Sequence, residues 1–159
     1  MQYNKLLQEV IEEAKAIRIP VSNNIDPTVL INNRAKGRFG QCKRRPTGFQ
    51  IELSVFLEQA DTHKIKETLA HEVLHTCKDC FNHQSMWQYH AAKMNQKYGY
   101  NISRTNSCAN MGVVVQKERN YVLKCQTCGN EIIRQRASKV TQHPEKFRCG
   151  RCHGKLVLI

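Results

Sequence analysis

Acidic residues are scarce in this chain: 13 Asp and Glu stand against 25 Lys and Arg, a net charge of +12 over 159 residues. No run of about eighteen apolar residues occurs, so no membrane-spanning helix is expected. No cationic-then-apolar N-terminus leads to a small-residue cleavage site, so no export signal is visible. The expected location is the cytoplasm, with nucleoid association for a bacterial protein. Internal repeats and low-complexity tracts are missing as well. The length then suits one domain of ordinary size, or a small domain carrying a smaller appendage.

The shortage of acids is uneven. Residues 104–159 carry 11 Lys/Arg against 3 acids, a net +8, and residues 1–103 carry 14 against 10, a net +4. A basic surface of this kind points to a polyanionic partner, nucleic acid first. A solvated basic surface without a partner is the alternative. Eight cysteines would suggest disulfides in a small secreted protein. Four of them instead form two C-x-x-C pairs, Cys125/Cys128 and Cys149/Cys152, and without an export signal a bound metal explains them better.

Leu6, Leu7, Val10, Ile11, Ala14 and Ile17 recur at helical spacing and predict an opening amphipathic helix that stops near Pro20. Short β-like pieces follow at Val29–Ile31 and Arg38–Gly40. Phe49, Ile51 and Leu53 then alternate with Gln50, Glu52 and Ser54, as in a half-buried strand. From Asp61, the series Ile65, Leu69 and Val73 predicts a helix running through His75. Trp87, Ala91, Met94 and Tyr98 predict another, with Asn82 as N-cap and Gly99 at its end. Beyond about Asn110 the pattern changes to short β-like runs, Val113–Val115, Tyr121–Leu123, Ile132–Ile133 and Leu156–Ile159, and a domain boundary is expected there.

The helix from Asp61 contains His71-Glu72-Val73-Leu74-His75. Residues four apart sit about 40° apart around a helix and about 6 Å apart along it, so both imidazoles can converge on one zinc ion. Glu72, about 100° further round, is better placed to work on water than to be a ligand. Two histidines leave zinc underligated, and a third His, Asp or Glu should lie downstream. His83 is the best candidate: residues 76–82 give room for the chain to turn back, and His83 is expected in the first turn of the next helix. His90 is the weaker choice. Peptide-bond hydrolysis is the reaction class, with Glu72 accepting a proton and passing it to the leaving amine. An extended substrate would pair with an edge strand drawn from Arg38–Gln41 or Phe49–Ser54.

Cys125, Cys128, Cys149 and Cys152 have the spacing of two knuckles around one structural zinc, with Gly129 and Gly150 expected at positions that tolerate positive φ. A redox role is the minority alternative. Lys124, Arg134, Arg136, Lys139, Lys146, Arg148 and Arg151 surround these cysteines. A second acid-free basic run comprises Arg34, Lys36, Arg38, Lys43, Arg44 and Arg45. Both are candidate nucleic-acid contacts, and either could be a solvated face. Cys77 and Cys80 form a third C-x-x-C, which either lines the turn between helices or supplies an alternative or regulatory metal ligand.

Taken together these residues resemble the SprT-like metallopeptidases over almost the whole chain. The likeness is carried by Arg38-Phe39-Gly40 before an alternating strand, Ile51-Glu52-Leu53-Ser54, the helix with His71-Glu72-Val73-Leu74-His75, His83 with an aromatic four residues on, and the four-cysteine ribbon. Two departures are Gln84, where the family usually has Gly, and Trp87 in place of the usual Phe. The resemblance implies an α+β protein: a compact zincin-like metallopeptidase domain, a small sheet plus active-site helices, over residues 1–112, then a basic zinc ribbon over residues 113–159. It implies one catalytic zinc on His71, His75 and His83, one structural zinc on the cysteines, and Glu72 as catalytic acid/base. The implied activity is cleavage of proteins bound to or crosslinked with DNA, single-stranded or damaged, with DNA stimulating the reaction. The rival expectation is a DNA-binding or regulatory protein whose zincin domain is a non-catalytic scaffold.

Overall fold

The computed structural model describes residues 2–35, 37–113 and 121–159, and is a mixed α+β arrangement. The chain divides into two compact units, residues 1–115 and 116–159. Lys36, Val114 and Val115 lie outside the described residues. No helix among the described residues is long and apolar enough to cross a membrane.

In the first unit, helix α1 (Gln2–Ala16) buries Leu6, Leu7, Val10, Ile11 and Ala14, the stripe expected from its periodicity except for Ile17, which lies past the helix end and is half-buried. It ends where Arg18 adopts φ +59°, two residues before Pro20, and the Ile19 N–H closes back on the Ala14 carbonyl at 3.0 Å. Strands β1 (Leu30–Asn32), β2 (Gly40–Arg45) and β3 (Gly48–Ser54) form a sheet ordered β1-β3-β2, with β1 parallel and β2 antiparallel to β3. Arg45 pairs with Gly48, so Pro46 and Thr47 make a two-residue hairpin turn. Strand β3 is therefore the middle of the sheet. The expectation that Phe49–Ser54 supplies an edge fails, because a strand earlier in the chain flanks it on each side. β2 is an edge, and it begins at Gly40, not at Arg38.

The other face of β3 also departs from the alternating pattern. Glu52 and Ser54, expected toward solvent, are buried at 7% and 3% exposure. Glu52 accepts from Asn32 Nδ2 at 2.7 Å, from Lys43, and from Arg38 at 3.4 Å, while Ser54 Oγ donates to the Ala35 carbonyl at 2.8 Å. These partners form a polar cover over the sheet, which burial statistics for a charged residue permit only when it is paired. Burial alone would raise the Glu52 carboxyl. The bonds from Asn32 and Lys43, with the Lys43 charge and Arg38, outweigh that and hold it below its usual range.

Helix α2 (Thr62–Leu74) is N-capped by Asp61, whose carboxylate accepts the Lys64 N–H at 2.8 Å. It packs against α1 and against α3 (Ser85–Tyr98). Glu13 on α1 joins all three: Lys66 of α2 pairs with its carboxylate, and the Tyr98 hydroxyl at the end of α3 donates to its carbonyl at 2.8 Å. Ile51, Leu53, Leu69, Val73, Leu74, Trp87 and Met94 are all at 2% exposure or less, as are Leu7, Val10 and Ala14 of α1, so the core lies where the three helices and the sheet meet.

The second unit is a three-stranded sheet of β4 (Tyr121–Cys125), β5 (Glu131–Arg134) and β6 (Leu156–Leu158), ordered β5-β4-β6, with the short helix α4 (Lys139–Gln142). Its buried cluster consists of Cys125, Cys149 and Leu156, with Ile132 and Val140 partly buried against it.

Candidate metal centres

α2 places His71 and His75 one turn apart at the end of the helix, where backbone bonding loosens and the chain can turn. The Thr76 hydroxyl donates back to the Val73 carbonyl at 2.7 Å, the Cys80 N–H to the Cys77 carbonyl at 3.2 Å, and Asp79 takes φ +60°. Asp is among the residues that tolerate this left-handed region. The chain reverses, and His83 comes back over the end of α2. His83 does not sit in the first turn of α3, as expected: the N-cap is Gln84 and the helix starts at Ser85. The ring is thus carried by the turn, and the Gln88 side chain holds its carbonyl at 3.0 Å.

The three rings face one another. Centroid separations are 5.1 Å for His71–His75, 4.9 Å for His71–His83 and 4.7 Å for His75–His83. Their ligand atoms lie within 4.8 Å of each other. Trp87 underlies them, its ring 4.6 Å from His83 and 4.7 Å from His71 by centroids. His71 Nδ1 donates to the Ser103 carbonyl at 3.0 Å and His75 Nδ1 to the Cys80 carbonyl at 2.8 Å. A carbonyl only accepts, so the proton of each neutral ring is on Nδ1 and Nε2 carries the lone pair, which on His71 faces His83 Nε2. The segment bearing Ser103 is itself pinned from both sides: Asn101 N–H binds buried Glu67 on α2, and Ile102 N–H binds Asn95 on α3, each at 2.8 Å.

Burial lowers the basicity of all three imidazoles. His71 falls to about 4, with the neighbouring His75 and His83 adding to the effect. His75 falls by burial despite its carbonyl partner, and His83 by burial, His75 and Arg104. Neutral rings with free lone pairs are what a cation requires. His71 Nε2 and His83 Nε2 are 2.9 Å apart. Two nitrogens at tetrahedral positions on one zinc would be roughly 3.3 Å apart at typical Zn–N lengths. The donor set and its spacing are therefore compatible with zinc.

Glu72 is buried at 6% exposure beside these rings, and burial raises its carboxyl to about 8, opposed by the Cys42 backbone amide and the Arg38 charge. β2 runs against it: a Cβ built on Gly40 would lie 2.7 Å from Glu72 Oε1. Only a residue without a side chain leaves room there. A cleft of about 220 Å³ is lined by Arg38, Gly40, His71, Glu72 and Arg104 among others. That is below the roughly 300–1,000 Å³ of pockets that enclose a whole small ligand, and it suits part of a longer molecule. The Arg38–Gln41 segment was expected near the site, but the close approach of Gly40 to Glu72 was not, nor were the Cys42 amide and the Ser103 and Cys80 carbonyls. Gly40 had a sequence signal, a glycine opening an edge strand, but main-chain groups carry none.

In the second unit Cys125, Cys128, Cys149 and Cys152 bring four sulfurs within 4.8 Å of one another, with Cys125–Cys152 at 3.5 Å and Cys128–Cys149 at 3.7 Å. The Cys128 and Thr127 amides hold the Cys125 thiol below its usual range, and those of Arg151 and Cys152 do the same for Cys149. Amides aimed at sulfur stabilise thiolate at these two, while the neighbouring Cys128 thiol pushes Cys152 up to about 12; the convergence of the four sulfurs is what makes the group compatible with zinc. The positive φ falls on the residue after each knuckle, Gly129 at +70° and His153 at +57°. Gly150, expected to take it, does not, because both knuckles turn at the same relative position.

The basic residues divide. Arg38 and Lys43 engage Glu52, and Arg44 stacks over Phe81 and Phe49 at 5.1 and 5.8 Å. Arg34 and Arg45 are exposed, as are Lys124, Arg134, Arg136, Lys139, Lys146, Arg148 and Arg151. His90 stands away from the three-imidazole group, in a separate buried cluster with Cys77 and Cys80.

A family model described as the SprT-like family matches residues 6–106. Two relatives, each called Protein SprT-like, are similar to parts of the chain. One, from Bacillus subtilis (strain 168), is 29% identical over 58 residues, 36% of this chain and 36% of that protein. The other, from Bacillus velezensis, is 31% identical over 52 residues, 33% of this chain and 32% of the relative. The chain thus spans about a third of the length of the relatives it matches.

Proposed function

The chain belongs to the SprT-like family, and from that premise we propose that it is a zinc-dependent endopeptidase, with a zincin-like catalytic domain and a zinc ribbon, that cleaves DNA-bound or DNA-crosslinked proteins and is stimulated by DNA. The observation that carries this reading is the convergence of three neutral imidazoles beside a buried carboxylate, with Gly40 of the adjoining strand β2 presenting no side chain to obstruct it. His71, His75 and His83 hold the zinc. Zinc, when bound, supplies Lewis acidity toward water and a carbonyl, and its charge draws the Glu72 carboxyl back toward ionisation. Glu72 takes a proton from water and returns it to the leaving amine. The Cys42 amide and the Arg38 charge both favour the carboxylate that must accept that proton. The Ser103 and Cys80 carbonyls keep His71 and His75 in the tautomer that leaves Nε2 available. β2, as the edge strand nearest Glu72, offers backbone pairing to an extended substrate.

The exposed arginines and lysines of residues 121–159 give the DNA contact, with Phe147, 38% exposed, available to stack on a base. The protein works in the cytoplasm, at the nucleoid if the source is bacterial. Cleavage of a DNA-binding protein is measured with and without single-stranded DNA for wild type and Glu72→Gln. The expected result is DNA-stimulated fragments from wild type and a loss of at least ~100-fold in the variant, with metal content and DNA affinity kept. Equal cleavage by both proteins would overturn the role of Glu72. Binding to DNA without cleavage by either would favour the scaffold reading instead.

A further inference from the structure

A second group of ligand atoms lies within the first unit, apart from the three imidazoles. Cys77 and Cys80, in the turn after α2, and His90, on α3, bring their donor atoms within 4.8 Å of one another. The three are buried at 4%, 0% and 6% exposure. His90 Nδ1 is buried and has no hydrogen-bond partner among the described residues. An orphaned imidazole nitrogen beside two thiols is costly to bury unless something binds it. Packing alone does not account for the group, since it leaves the His90 nitrogen unsatisfied.

We propose that Cys77, Cys80 and His90 bind a further metal ion of the zinc class, which clamps the turn between α2 and α3. Two thiolates neutralise a divalent ion and the neutral ring adds no charge, so the complex is uncharged and suits a buried place. Binding releases the two thiol protons to solvent. No fourth side chain among the described residues joins the group, which leaves the remaining position to water or an added ligand. The clamp holds the segment whose Cys80 carbonyl orients His75 and which ends in His83. This proposal does not depend on proteolysis: it stands or falls on metal content.

The test uses the full chain, isolated under reducing conditions, loaded with zinc and dialysed. Metal per chain is compared among wild type, Cys80→Ser, His90→Gln, His83→Ala and the His83→Ala/Cys80→Ser double variant. Cys80→Ser keeps the backbone carbonyl that His75 uses, and His90→Gln serves should the first variant not fold. The expected result is one equivalent lost in Cys80→Ser or His90→Gln, and one more lost in the double variant than in His83→Ala alone. Unchanged metal content in both single variants would overturn the proposal. So would a double variant equal to His83→Ala, since the loss would then belong to the three-histidine centre. A Cys77–Cys80 disulfide in the protein as isolated, detected by mass spectrometry, would overturn it too.

Discussion

The two units hold their candidate metal ligands in different settings. Residues 1–115 enclose a core in which Leu7, Val10, Ile51, Leu53, Leu57, Leu69, Val73, Leu74 and Met94 are all at 1% exposure or less. Among the described residues of the second unit, 121–159, those buried are Leu123, Leu156, two cysteines and Thr141. Units of about 40 residues rarely fold on so little apolar burial. The first unit therefore has an apolar core that can keep its fold without an ion, while the described residues of the second have little besides their thiols to close them. On the proposed reading, a metal lost from the first would cost chemistry, and one lost from the second would cost the fold.

The sharpest way to break this contrast is chelation. Structural zinc contributes apparent folding free energies on the order of 10 kcal/mol in small domains. Stripping metal should collapse the amide dispersion of residues 121–159 in an NMR spectrum, while signals from α1, α2 and the sheet persist. Loss of both sets together would show that the first unit also depends on its ions. Next in size is Leu69→Ala, which removes a fully buried side chain and should destabilise the first unit by about 2–5 kcal/mol in denaturant titration, leaving the second unit's metal affinity unchanged. Gly40→Ala should cost about 1–3 kcal/mol through overlap with Glu72. Its larger consequence should be lost peptidase activity with metal retained; full activity would mean that β2 yields easily at that point.

The smallest effect is electrostatic. Because the Glu52 carboxyl is held below its ordinary value, its ionised form contributes stability that is fully present above the usual carboxylate range, starting from 4.5, and is lost as pH falls through the lowered value. Unfolding of the first unit, followed from pH 6 down to about pH 3, should therefore lose stability less steeply in Glu52→Gln than in wild type. Parallel curves would show that Asn32, Lys43 and Arg38 gain nothing from its charge.

What sequence could and could not disclose follows the same division between local and long-range information. The buried stripes of α1, α2 and α3 are written in spacing alone, and the cysteine pairs in their intervals. The family match over residues 6–106 agrees with the resemblance seen in the motifs. Sheet order is not local: β3 lies between β1 and β2 because a strand from well before the hairpin pairs in parallel with it. For the same reason the burial of Glu52 was not legible, since its partners come from β1, β2 and the segment between them. Asn82 looked like an N-cap by residue type, yet Gln84 takes that position without a side-chain cap bond, because the turn has to present the His83 ring before the helix begins. His153 occupies the left-handed position that Gly129 holds in the other knuckle, a correspondence visible only when the two knuckles are superposed residue for residue.

The acceptors that orient His71 and His75 are main-chain oxygens. No replacement of the side chain at 80 or 103 deletes either one, so the choice of donor nitrogen is insulated from point mutation at its own supports. Only a change in the route of the polypeptide, such as an insertion in the turn or a shift of the segment after α3, would erase it.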